Sequence, residues 1–145
     1  MSKSNAHENS YLLLLFHNTD FALIGDAAGL QNSATTGSLY FSLHTADPGE
    51  AGDQTTNEVA YTSYARVAVA RTSGGFTVST NTVSLVSNVT FPAGTGGSGT
   101  ATHWGLGASS SGAGVLLYKG SISPSIVCGN GVTPQLTAGT VVTED

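Results

Sequence analysis

The chain has 145 residues with nine acidic and four basic side chains, a formal net charge of -5, and only 9% charged residues, where an average domain has about a quarter. A single domain of this length buries roughly two thirds of the surface its unfolded chain exposes, so a real core is within reach. Four cations, Lys3, Arg66, Arg71 and Lys119, are too few to displace counterions along a phosphate backbone, which excludes a nucleic-acid partner from the expectation.

Cys128 is the only cysteine, so no intrachain disulfide forms and nothing points to an oxidising compartment. The longest apolar run, Tyr11 to Phe16, is far shorter than the roughly 20 residues of a membrane helix, and no membrane partner is expected. His17, Asn18 and Asp20 interrupt that run, and no small-residue cleavage site follows it. The expectation is therefore a soluble protein made in the cytoplasm.

In chain order, residues 1 to 9 are polar and short of core formers, and read as a loose arm. Asn9 or Ser10 is a suitable cap for a short helix from Tyr11 to about Asn18. Gly25, Gly29 and the polar stretch from Gln31 to Gly37 read as a connector. Residues 1–36 are thus expected to form an N-terminal arm and short helix, and residues 37–145 a β domain.

That domain is organised around Ser38 to Thr45, where Leu39, Phe41 and Leu43 alternate with Tyr40, Ser42 and His44, the period of a half-buried strand. Asp47-Pro48-Gly49 ends the strand, since proline fixes φ and removes a donor. Residues 46 to 60 carry Asp47, Glu50, Asp53 and Glu58 without an apolar cluster and read as a long exposed loop. Loops of that length are usually functional or mobile. Asp47, Pro48, Glu50, Asp53 and Glu58, with Tyr61, Tyr64 and Arg66 just beyond, are the candidate contact residues for another subunit or a partner.

Further strands are expected at Ala65–Arg71, Phe76–Val78, Val83–Val86, Asn88–Phe91, Thr100–Leu106, Val115–Ser121 and Ala138–Thr143, with glycine and proline between them. About eight short strands at turn spacings of about ten residues predict an all-β protein, a β-sandwich of jelly-roll-like type, rather than βαβ units.

Catalytic, metal and cofactor motifs are not found. Gly94-Thr95-Gly96-Gly97-Ser98-Gly99 matches the dinucleotide fingerprint by letter, but a strand pattern follows it where pyrophosphate binding requires a helix N-terminus. The four histidines have no metal-ligand spacing, the acidic loop lacks the EF-hand pattern, and no Gly-x-Ser-x-Gly elbow exists. No enzyme, no metal and no cofactor are expected. The lone Trp104 is assigned to the core in preference to a sugar-stacking platform.

The block Leu39-Tyr40-Phe41-Ser42-Leu43-His44-Thr45-Ala46-Asp47-Pro48-Gly49-Glu50-Ala51-Gly52, followed by Tyr64-Ala65-Arg66-Val67-Ala68-Val69, resembles a family of small tailed-bacteriophage virion proteins. Later blocks, Gly99-Thr100-Ala101-Thr102-His103-Trp104-Gly105-Leu106 and Leu116-Leu117-Tyr118-Lys119-Gly120 among them, extend the likeness over about residues 37 to 143. Members are often labelled tail-fibre-like, and related small β proteins serve as capsid cement or decoration proteins. The resemblance implies a structural protein of the virion, made in the host bacterial cytoplasm. It would bind the major capsid protein at the capsid surface as a homo-oligomer, trimer or dimer, and stabilise the DNA-filled head. A tail or tail-fibre component and a host-surface carbohydrate-binding module are the alternatives.

Overall fold

The structure, a computed structural model, describes residues 2–144. One helix, α1 (Asn5–His17), precedes nine strands: β1 (Ser38–His44), β2 (Val67–Ala70), β3 (Phe76–Ser79), β4 (Thr82–Leu85), β5 (Val89–Thr90), β6 (Ser98–Gly107), β7 (Leu116–Gly129), β8 (Gln135–Leu136) and β9 (Val141–Thr143). They form sheets ordered β2-β1-β6-β7, β3-β4-β9 and β5-β8. The fold is all-β, of the sandwich class, with a short N-terminal helix. The chain groups into two compact units, one comprising the residues up to Ser38, Ala70–Asn88 and those from Thr137 onward, the other Leu39–Val69 with Val89–Leu136.

In the first unit, α1 starts well before the expected Tyr11. Ser4 is its N-cap and its hydroxyl accepts from the His7 amide at 3.3 Å. The inward stripe is Glu8, Leu12 and Phe16, an i, i+4 series whose first member is polar and so hid the opening turns from a hydrophobicity reading. Residues 5 to 9, expected as a loose arm, are therefore helical. Phe16 stacks edge-on against Phe76 with ring centroids 4.9 Å apart, and Val83, Leu85 and Val142 complete the small core.

Arg71 closes the other end of the helix. Its guanidinium donates to the carbonyls of Leu14 (2.7 Å) and Leu15 (2.6 Å), two of the four acceptors a helix C-terminus leaves unpaired. Asn18 then takes the left-handed conformation, φ 54°, and the Thr19 amide reaches back to the Leu13 carbonyl, as helix endings at asparagine commonly do.

The second unit is built on the β2-β1-β6-β7 sheet. β1 and β6 pair antiparallel with Phe41 opposite Leu106 and Leu43 opposite Trp104, and these side chains join Leu39, Val59, Ala101 and Phe91 in a core. Trp104 is 7% exposed and lies 5.9 Å from the Phe41 ring, so it is a core residue and offers no face to a sugar. β7 runs on through Pro124, where the punctuation of the sequence suggested an end at Ser121. It can do so because it is an edge strand and bulged: Ala101 pairs with Ile126 but His103 with Ser121, so residues 122–125 stand opposite Thr102 alone. The glycine-rich segment that mimics a dinucleotide loop is a close crossing of backbones. A Cβ on Gly94 would sit 2.1 Å from the Gly129 carbonyl oxygen, and the segment runs straight into β6, which begins at Ser98.

Candidate functional site

β1 is covered on both faces at its C-terminal end. Ser42 and His44, which the alternation assigned to an outer face, have no exposure at all, because residues 46 to 60 fold back over them. The His44 Nδ1 lies 2.8 Å from the Thr56 carbonyl and its Nε2 2.8 Å from the Ser42 hydroxyl. A carbonyl only accepts, so Nδ1 carries the proton and Ser42 donates to Nε2. Burial holds the His44 pKa below the usual histidine value, against the opposing pull of the Thr56 carbonyl. A serine–histidine pair suggests nucleophilic chemistry, but no substrate reaches a pair with zero exposure; here it fastens the loop to the strand.

The loop expected to be wholly exposed is thus half interior. Gln54 is fully buried; its side-chain oxygen accepts from the Ser109 amide at 2.9 Å and its main-chain amide donates to the Gly114 carbonyl at 3.0 Å. Gly107 and Gly114 make room for it, since a Cβ on either would come within 2.3 Å of a Gln54 side-chain atom. Asp53 caps a turn, accepting from the Thr55 amide (2.8 Å) and hydroxyl (2.6 Å). The Thr55 hydroxyl and amide hold its carboxyl below the ordinary carboxylate value. Polar side chains satisfy one another and the backbone here, so the absence of an apolar cluster did not mean exposure.

Of the eight residues singled out from the sequence, Glu58, Tyr64 and Arg66 come together. The Arg66 guanidinium grips both carboxylate oxygens of Glu58, at 2.7 and 2.8 Å, and donates to the carbonyls of Ser109 (3.0 Å) and Gly112 (2.9 Å). Its side chain is 2% exposed. Tyr64 donates to Glu58 at 2.8 Å and accepts from the Leu43 amide at 3.1 Å; burial pushes its pKa far up. Tyr61 is buried, its hydroxyl donating to the Pro92 carbonyl at 2.8 Å, and burial pushes its pKa up to about 12. Among the described residues no buried side-chain nitrogen or oxygen lacks a partner.

Asp47 and Glu50 stand apart from this network. Both pair with Lys119 of β7, at 3.0 and 3.2 Å, while Pro48 between them is buried. The Gly49 amide, and secondarily Lys119, hold the Asp47 carboxyl below the ordinary value. Gly49, Glu50 and Gly52 with Leu116, Leu117, Tyr118 and Lys119 line an open depression of about 280 Å³. Asp47, Glu50 and Lys119 thus form a small charged rim at the edge strand β7. Lys119, Gln54, His44 and Ser109 were missed from sequence. Lys119 meets Asp47 across 72 positions, and no local spacing signals such a pairing.

Among the described residues no three His, Cys, Asp or Glu side chains converge to hold a metal ion, and no helix is long and apolar enough to cross a membrane.

A protein-family model, podophage GP4 fiber I protein gp80, matches residues 2–144. The chain belongs to that family, a family of bacteriophage virion proteins of tail-fibre-like type. No curated protein matches the chain.

Proposed function

We propose that the chain is a structural, non-enzymatic component of a phage tail fibre. The carrying observation is the family match, which extends over residues 2–144 and bears the name of a fibre protein. It favours the fibre alternative over capsid cement, for which nothing comparable speaks. In this reading the rim of Asp47, Glu50 and Lys119 and the adjoining β7 edge meet a neighbouring virion protein. The interior network of Glu58, Tyr64 and Arg66 keeps that rim in shape. Because that rim is made of exposed charges, attachment through it weakens as the salt concentration rises, while main-chain contacts along the β7 edge are affected less.

Immunogold labelling of purified virions, with copy number by quantitative mass spectrometry, tests the proposal. Gold on the tail or its fibres and copies in single digits or tens are expected. Gold over the head with hundreds of copies would restore the cement role and partnership with the major capsid protein. Absence from purified particles would end both.

A further inference from the structure

The stretch after α1, read from sequence as a connector, is a braced loop with an apolar tip. Phe21 and Leu30 exchange two backbone hydrogen bonds, 3.0 and 2.9 Å, across its neck. Below the neck, Asn18 bonds both the amide and the carbonyl of Ser33, and Asp20 accepts from the Asn32 amide at 2.7 Å. Above it, the Asp26 carboxylate accepts from the amides of Ala28 and Gly29 at 2.8 and 3.2 Å. The segment is held by its own hydrogen bonds, yet it presents Leu23, 80% exposed and at φ 65°, with Ile24 beside it at 42%. A leucine at left-handed φ is disfavoured where glycine or asparagine would serve.

The patch extends past the tip. Leu30 is 48% exposed and pairs with Phe21, whose ring meets His7 edge-on at 5.3 Å. Tyr11, 38% exposed, lies one helical turn beyond His7 on the same side of α1. Taking about 200 Å² for an exposed leucine-sized side chain and about 250 Å² for tyrosine, these four residues offer about 430 Å² of largely apolar surface. One side of a standard interface, about 800 Å² at about 57% apolar, uses about 450 Å².

We propose that the surface formed by Tyr11, Leu23, Ile24 and Leu30 is a self-association site that docks on the same surface of a second copy of this chain. A two-fold contact needs only one such patch per copy. These four side chains carry no charge, and the one carboxylate within the loop, Asp26, is engaged by the amides of Ala28 and Gly29. The site belongs to the first unit and the rim of Asp47, Glu50 and Lys119 to the second, and it stands or falls independently of the fibre assignment, because it is measured on the purified chain.

Sedimentation equilibrium of the full chain and of Leu23→Asp, Leu23→Gly and Val115→Asp tests it. The wild type is expected to sediment above the 14.6 kDa monomer mass in a concentration-dependent manner. Leu23→Asp should raise the dissociation constant at least tenfold with an unchanged circular-dichroism spectrum. Leu23→Gly, which relaxes the backbone and so keeps the fold, should weaken association similarly. Val115→Asp, at a residue 65% exposed in the other unit, should leave association as it was. A wild type monomeric throughout overturns the proposal, including one that binds other virion proteins. Association that survives both Leu23 variants, or that Val115→Asp abolishes, also overturns it.

Discussion

Two loops of this chain invert the usual equation of polarity with exposure. Residues 46 to 60 carry four carboxylates, yet the loop sinks Gln54 completely and covers Ser42 and His44. Residues 21 to 30 are rich in small and apolar side chains, yet hold Leu23 and Ile24 out in solvent. Hydrogen-bond supply makes the difference. In the first loop each buried polar group finds a specific partner across the fold, which removes the cost of burying it. In the second, the hydrogen bonds are spent within the loop and its base, and the apolar side chains are left outside. A loop's role follows from where its polar groups are satisfied.

The largest effect expected from breaking this contrast is at Arg66. Arg66→Ala would strand Glu58 in a mostly shielded site and free the Ser109 and Gly112 carbonyls. Removing one partner of a buried pair costs about 3 kcal/mol or more. Urea denaturation should show that loss, and a cost below about 1 kcal/mol would mean that the pair is solvated and the loop is not anchored by it. Next comes Gly107→Ala, which forces a Cβ to within 2.1 Å of Gln54 Cδ and should cost about 2 kcal/mol. The cost should shrink in a Gln54→Ala background, and strictly additive losses would deny the coupling.

The pH dependence sharpens the contrast further. The folded His44 pKa lies below its unfolded value, so between the two the unfolded chain binds the extra proton. Stability is then full above about pH 6.5 and falls as the pH drops below it, by at most about 1.4 kcal/mol per pH unit for one proton. Thermal melts from pH 7 to pH 5 should show the decline, and His44→Gln should remove most of it. An unchanged decline in His44→Gln would assign it to other groups.

Much of the fold was legible because the period-two run in β1 marked its inward face: Phe41 and Leu43 are where the alternation put them, although Ser42 and His44 on the other face are buried too. Trp104 lies in the core, as a lone strand tryptophan usually does. Three features escaped for physical causes. The opening of α1 was hidden because its first inward residue is Glu8. The course of β7 through Pro124 was hidden because whether a proline stops a strand depends on which side of the sheet is free, a tertiary fact. The interior of the 46 to 60 loop was hidden because Glu58 and Arg66 read as surface charges until each has the other. The sequence marked Glu58, Tyr64 and Arg66 as important, but as contacts for another molecule; the structure brings them into contact with one another.

The smallest expected effect has the opposite sign. Leu23→Gly deletes a side chain that is 80% exposed, so almost no burial is lost. It also relieves a leucine held at φ 65°, a conformation that costs a non-glycine residue about 1 kcal/mol. Greater freedom of glycine in the unfolded chain offsets part of that gain. The monomer should therefore become more stable by roughly 0.5 kcal/mol, seen as a raised denaturant midpoint with an unchanged slope at dilutions where the chain is monomeric. The matching position in the 46 to 60 loop is Asn57, exposed and at φ 57°, and glycine there should give no such gain, because asparagine tolerates that conformation and its side-chain amide donates to the Asp47 carbonyl at 3.1 Å. If Leu23→Gly lowers the midpoint instead, the leucine is packed in the monomer, and the two loops are less different than their exposures make them.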